Sequence, residues 1–125
     1  MENWNYSSHW YHGSPYELNT IRKGSTITQN INVARVFSHK PPCVSIDDNG
    51  HIKHNGVIEG YLYIIDETIA EEDVYIHPRT TMEKGLEWLT ERELKVRFIE
   101  KTDIKEDEKF SDDELKALKE LGYIK

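Results

Sequence analysis

A single cysteine, Cys43, excludes an internal disulfide and any zinc site assembled from paired cysteines. No apolar run approaches the roughly 20 residues of a bilayer-spanning helix. The opening Met1-Glu2-Asn3-Trp4-Asn5 carries neither the basic nor the apolar stretch of a secretory leader. A cytoplasmic protein without membrane contact is therefore expected. Positive charge is also scarce: 16 Lys and Arg stand against 23 Asp and Glu, for a net charge of −7. Such a surface opposes loose attraction to phosphate, so binding to a nucleic-acid backbone is disfavoured, although a few oriented N–H groups suffice to hold a small anion. Internal repeats are absent, and the one biased stretch is a charged segment near the C-terminus.

What remains, 125 residues with 37% hydrophobic and 31% charged side chains, is one globular domain by length. Short β-prone runs broken by turns, with only two helical patterns, predict an α+β fold: a split, mostly antiparallel sheet with short helices and a C-terminal helix. Trp4 and Tyr6 are candidate anchors. Tyr11 to Ser14 read as a strand ended by Pro15, and Leu18 and Ile21 as buried residues of the link that follows. Ser25 to Thr28 form a second strand, and Thr28 is placed to cap a helix on which Val33, Val36 and Phe37 share a face until Pro41-Pro42 stops it. Residues 47–56 predict an exposed hairpin or loop, and the His51, His54 pair within it predicts solvated side chains rather than a metal site. Val57 to Asp66, apolar on both faces, predicts the central strand. Thr80 to Gly85 form a loop into a strand from Leu86 to Thr90 that carries Glu87. Glu91 to Glu93 turn the chain, and Leu94 to Ile99 alternate as a half-buried strand. Lys101 to Lys109 read as a linker. Ser111 and Glu114 make a capping box ahead of a Leu115, Leu118, Leu121 stripe closed by Gly122.

The chemistry-bearing stretch is Trp10-Tyr11-His12-Gly13-Ser14-Pro15. It sets a ring with a donor and an acceptor beside bare backbone and a hydroxyl, a combination suited to gripping an amide or a ribose. Cys43 follows two prolines with no base beside it, so no nucleophile is expected there.

Three segments then stand in one order: the Tyr11-His12-Gly13-Ser14 strand, a Ser/Thr strand running into a helix with Val33-Ala34 and Phe37, and a strand headed by Glu87 with its return partner. This order resembles the ADP-ribosyltransferase fold, which includes the poly(ADP-ribose) polymerases, the rifampin-modifying transferases and many small bacterial and phage proteins. The resemblance covers residues 10–99. It implies NAD as the substrate cofactor, with His12 on a ribose, Gly13 pairing with the nicotinamide amide, Ser14 nearby, and Glu87 on the nicotinamide-ribose 2′-hydroxyl as the catalytic carboxylate. Thr26 or Thr28 stands where the polymerases carry a Tyr, and Phe37 is the alternative face for stacking on nicotinamide. Gly85 occupies the position of the second acidic residue of arginine-modifying members. Residues 1–100 would form the transferase-like domain, and 101–125 a charged linker and a helix packed on it or on a partner.

Three functions compete: an ADP-ribosyltransferase acting on a protein, nucleic acid or small molecule; an NAD or ADP-ribose-binding module without turnover; and an acidic interaction or inhibitor protein with a vestigial pocket. Cleaving the bond from nicotinamide to ribose develops positive charge on the sugar. A carboxylate at the 2′-hydroxyl would favour that transition state over the ground state.

Overall fold

The computed structural model describes residues 8–41, 43–80 and 85–122, so the expectations for Trp4 and Tyr6 fall outside the described residues. The strands are β1 (Tyr11–Ser14), β2 (Thr20–Ile21), β3 (Thr26–Ile27), β4 (Val44–Ile46), β5 (Ile52–His54), β6 (Gly60–Ile65), β7 (Val74–Ile76), β8 (Trp88–Thr90) and β9 (Leu94–Thr102). Helix α1 (Ile31–Phe37) follows β3, and α2 (Asp112–Glu120) ends the described chain. Every paired strand runs antiparallel to its neighbour, which makes the fold α+β as expected.

The sheet comes in two halves, β1-β6-β9-β2 and β3-β8-β7, with β4-β5 as a separate hairpin. Among the described residues the halves are joined by one bridge. Tyr11 N–H donates to the Thr28 carbonyl at 2.7 Å, and Thr28 N–H donates back at 3.1 Å. Side-chain alternation turns one face of each half inward. Trp10, Ile27, Tyr63, Ile65, Val74, Trp88, Leu94 and Val96 meet there, with the indoles of Trp10 and Trp88 edge to face at 5.4 Å. The buried indole N–H of Trp88 is satisfied by the Gly85 carbonyl at 2.9 Å.

A second cluster lies under α1, where Val33 and Val36 pack on Ile52 with Phe37, Val44 and Ile46 around them. The helix is capped by Asn30 rather than Thr28: the Asn30 side chain accepts the N–H groups of Asn32 and Val33 at 3.0 and 3.2 Å. Thr28 acts one step earlier, its hydroxyl accepting the Asn30 N–H.

Four other expectations change. The central strand starts at Gly60 and not at Val57, which is 85% exposed. The Ile58 carbonyl is turned away to accept the His39 ring N–H. Its central place holds, since β6 lies between β1 and β9. The 47–56 hairpin forms, with the Asp47 carboxylate accepting the Asn49 and His51 N–H groups, but Ile52 and His54 are buried. The linker is largely structure: Lys101 and Thr102 still belong to β9, and Glu108 is buried against Arg35. The capping box is present, Glu114 N–H donating to the Ser111 hydroxyl and Ser111 N–H to the Glu114 carboxylate. Of the leucine stripe beyond it, Leu115 and Leu118 are half-buried while Leu121 is exposed.

Candidate functional site

β1 holds His12 directly opposite Tyr63 of β6. The ring Nδ1 lies 2.7 Å from the Thr26 carbonyl oxygen, which can only accept, so Nδ1 carries the hydrogen. Burial pushes the imidazole pKa below its ordinary value, and the Thr26 bond opposes that only in part. The ring is thus neutral at physiological pH and presents Nε2 as an acceptor, the state that can receive a ribose hydroxyl.

Gly13 has a different reason for being glycine than its sequence context suggests. A Cβ there would lie 1.9 Å from the Ala34 carbonyl oxygen and 2.7 Å from the Ser38 nitrogen, so α1 can sit on β1 only over a bare Cα. Its backbone direction follows from the ladders. Tyr11 spends its N–H and C=O on Thr28, and Ile65 N–H donates to the Trp10 carbonyl. Alternation therefore points the N–H and C=O of Gly13 away from β6 and toward the β3 side, past the Tyr11–Thr28 bridge. The halves have parted there, and among the described residues neither group is hydrogen-bonded.

Glu87 heads β8 as expected, with its backbone carbonyl accepting the His77 N–H and one carboxylate oxygen accepting the Thr80 hydroxyl at 2.6 Å. The sequence gives no sign of the Thr80 contact, because residues 80–87 carry no periodic pattern. The order of the three segments suggests that the His12 strand and the Glu87 strand lie side by side, and the strand arrangement corrects this: β1 and β8 are not neighbours. β3 stands between them, bridged to Tyr11 on one edge and paired with β8 on the other. Continuing the registers puts Tyr11, Thr28 and Glu87 in one row, and His12 in the next row on the opposite face. A flat ladder would separate the His12 and Glu87 Cα atoms by about 10 Å. The two side chains therefore leave opposite faces of the sheet, that of His12 hydrogen-bonded to the Thr26 carbonyl.

The remaining candidates are mostly committed elsewhere. The Ser14 hydroxyl accepts the Tyr16 N–H and shapes the turn after β1. Thr28 is 1% exposed, with its hydroxyl on Asn30. Thr26 contributes its carbonyl to His12, and Phe37 packs into the cluster under α1. A cleft of about 500 Å³ is lined by Glu17, Leu18, Tyr61, Tyr63, Phe98 and Lys101, and by none of the candidate residues above. Among the described residues no group of three or more His, Cys, Asp or Glu side chains could hold a metal, and no helix is long and apolar enough to cross a membrane. No protein-family model, curated protein or solved structure matches this chain.

Proposed function

We propose that this chain is an NAD-dependent ADP-ribosyltransferase whose site is the notch where the two half-sheets part. The observation that carries the reading is the Gly13 edge. An N–H and a C=O of one residue, turned together into the gap, match the C=O and NH2 of a primary carboxamide such as that of nicotinamide. His12 Nε2 would accept from a ribose hydroxyl. The Glu87 oxygen not engaged with Thr80 would accept from the nicotinamide-ribose 2′-hydroxyl. As the C1′–N bond breaks, its electron pair leaves with nicotinamide and positive charge grows on the ribose beside the carboxylate. The acceptor's nucleophile then bonds to C1′ and loses its proton to Glu87 or water. A second reading, a module that binds NAD or ADP-ribose without turnover, is favoured by the strand interposed between His12 and Glu87 and by their register on opposite faces of the sheet, since transfer needs both side chains on one ligand.

Labelled NAD incubated with the protein and a cell lysate separates these readings. Glu87→Gln should cut nicotinamide release by ~10²–10³ while leaving NAD affinity within a few fold, because Gln keeps shape and hydrogen bonding but cannot offset charge developing on the sugar. His12→Ala should weaken binding itself. Full release from Glu87→Gln would reject the carboxylate's role. Saturable binding without release in the wild type would select the binding module, and no binding would select the acidic interaction protein.

A further inference from the structure

Beneath the end of α1, His39 and His54 are covered to 0% and 1% exposure, with their rings stacked at 5.2 Å and 16° between planes. Hydrogen bonds fix both tautomers. His39 Nδ1 lies 2.6 Å from the Ile58 carbonyl, so it carries the hydrogen and leaves Nε2 as the basic nitrogen. His54 is reversed: its Nδ1 accepts the Gly56 N–H at 3.0 Å, which puts the hydrogen of the neutral ring on Nε2. Both Nε2 atoms are buried without a partner among the described residues. The His54 tautomer also argues against a metal bridging the pair, since a metal on Nε2 would return the hydrogen to Nδ1, against the Gly56 N–H.

A proton added to His54 is badly placed: it would occupy Nδ1, facing the Gly56 N–H and breaking that bond. The His39 ring, stacked 5.2 Å away between centroids, also disfavours charge on His54. Arg35 of α1 adds to the repulsion, while Glu108, from the short 3-10 turn Glu106–Glu108, opposes it. That carboxylate already holds the Arg35 guanidinium with both oxygens. Lys109 reaches His54 through a backbone bridge, and Lys40, next to His39, lies over the Tyr16 ring. Gly56 closes the site, since a Cβ there would be 2.7 Å from that of His39.

We propose that the His39–His54 pair is a pH latch. Neutral, it fastens the β4-β5 hairpin and the Gly56-Val57-Ile58 segment to the end of α1; on proton uptake it lets that unit go while the core around Trp10 and Trp88 stays folded. No residue of the latch belongs to that core, and the inference does not depend on what the protein catalyses. Burial first, and His39 second, hold the His54 pKa below the ordinary value of 6.5. A depressed folded-state pKa means that the released state takes up the proton first. The latch is therefore fully closed above about pH 6.5 and weakens as pH falls below it, until the folded-state pKa is passed.

Residue-resolved hydrogen exchange, expressed as protection factors so that intrinsic pH effects cancel, tests the latch between pH 7 and pH 5. One proton per opening predicts little change from pH 7 to about 6.5 and then up to about a tenfold loss of protection per pH unit for amides of β4, β5 and residues 56–58, with β1, β6 and β9 unchanged. In the His39→Asn/His54→Asn double variant the carboxamides replace the Nδ1 donor and acceptor but cannot titrate, so the local loss should disappear. Ring titration of the wild type by NMR is the second measurement and needs no variant; a His54 midpoint below 6.5 is expected. Protection independent of pH, an equal loss across both half-sheets, the same loss in the double variant, or a midpoint at or above 6.5 would overturn the proposal.

Discussion

The protein holds its two half-sheets together and holds α1 down by different means. Between the half-sheets, beyond the Tyr11–Thr28 bridge and the His12–Thr26 hydrogen bond, the contact is apolar, from Ile21 and Ile27 through Trp88 to Leu94. Beneath α1 the apolar share is small, Val33, Val36 and Ile52, and the rest is matched polar groups: Arg35 on Glu108, the Ser38 hydroxyl on that of Thr102, and His39 on His54. Burial of apolar surface is non-directional and tolerates adjustment. Buried polar pairs admit one arrangement, and they fail abruptly when one member is removed because the other is left desolvated and unpaired. The unit under α1 is thus the more specific and the more easily switched.

The largest effect should come from the apolar side. Trp88→Ala removes a fully buried indole that reaches both half-sheets through Trp10 and should cost about 3–5 kcal/mol in denaturant unfolding, with all probes lost together. If amides of the β4-β5 hairpin melted well after those of β8, the two regions would be less coupled than one cooperative domain requires.

Next comes the polar side. Burial opposes ionisation of Glu108, but the Arg35 guanidinium outweighs it and holds the carboxyl below the usual range. Glu108→Ala should cost about 3 kcal/mol by stranding a buried guanidinium, whereas Arg35→Met combined with Glu108→Leu should recover most of that loss. A double variant as unstable as the single one would mean that the pair stabilises by its charge and not by avoiding an orphan.

Legibility in the sequence follows the same division. The strand at Leu94 to Ile99, the hydroxyl-rich strand running into α1 and the Ser111–Glu114 capping box are local patterns, and each appears where its pattern predicts, although the burial alternation of the first stops after Val96: the register of β9 on β6 shifts opposite Leu62 and Tyr63, and Phe98 and Ile99 are exposed. Arg35 and Glu108 are 73 residues apart, so nothing near Glu108 distinguishes it from the acidic residues around it, and a buried anchor reads as a linker. His54 reads as solvated for a similar reason: what buries it is His39 and the end of α1, not its Gly- and Asn-rich neighbours. The order of His12, Thr26 and Glu87 along the chain identifies three strands but not that the middle one separates the other two.

Gly13→Ala should have a smaller effect on stability, because α1 is short and can shift. The added methyl meets backbone at Ala34 and Ser38 rather than a movable side chain, and a loss of about 1–3 kcal/mol is expected. The displaced helix should lower protection in residues 31–38 and at the latch more than in β7 and β8. Uniform loss over the whole sheet would place Gly13 in the apolar core's unit instead.

The smallest effect should fall at the rim, where Lys53 of β5 donates to Glu114 of α2 at 2.7 Å. Lys53 comes first, and the Ser111 N–H of the capping box second, in holding the Glu114 carboxyl down to about 2. A depressed carboxyl contributes stability that is present in full above the unfolded value near 4.5, neutral pH included, and is lost as pH falls through about 2. Lys53→Met should raise the Glu114 pKa measured by NMR without restoring its ordinary value, since the Ser111 bond survives. The melting temperature at pH 7 should barely move, as for most exposed ion pairs. A large drop in that temperature would show that α2 and the hairpin are clamped through this pair, and would extend the polar, switchable unit beneath α1 out to the C-terminal helix.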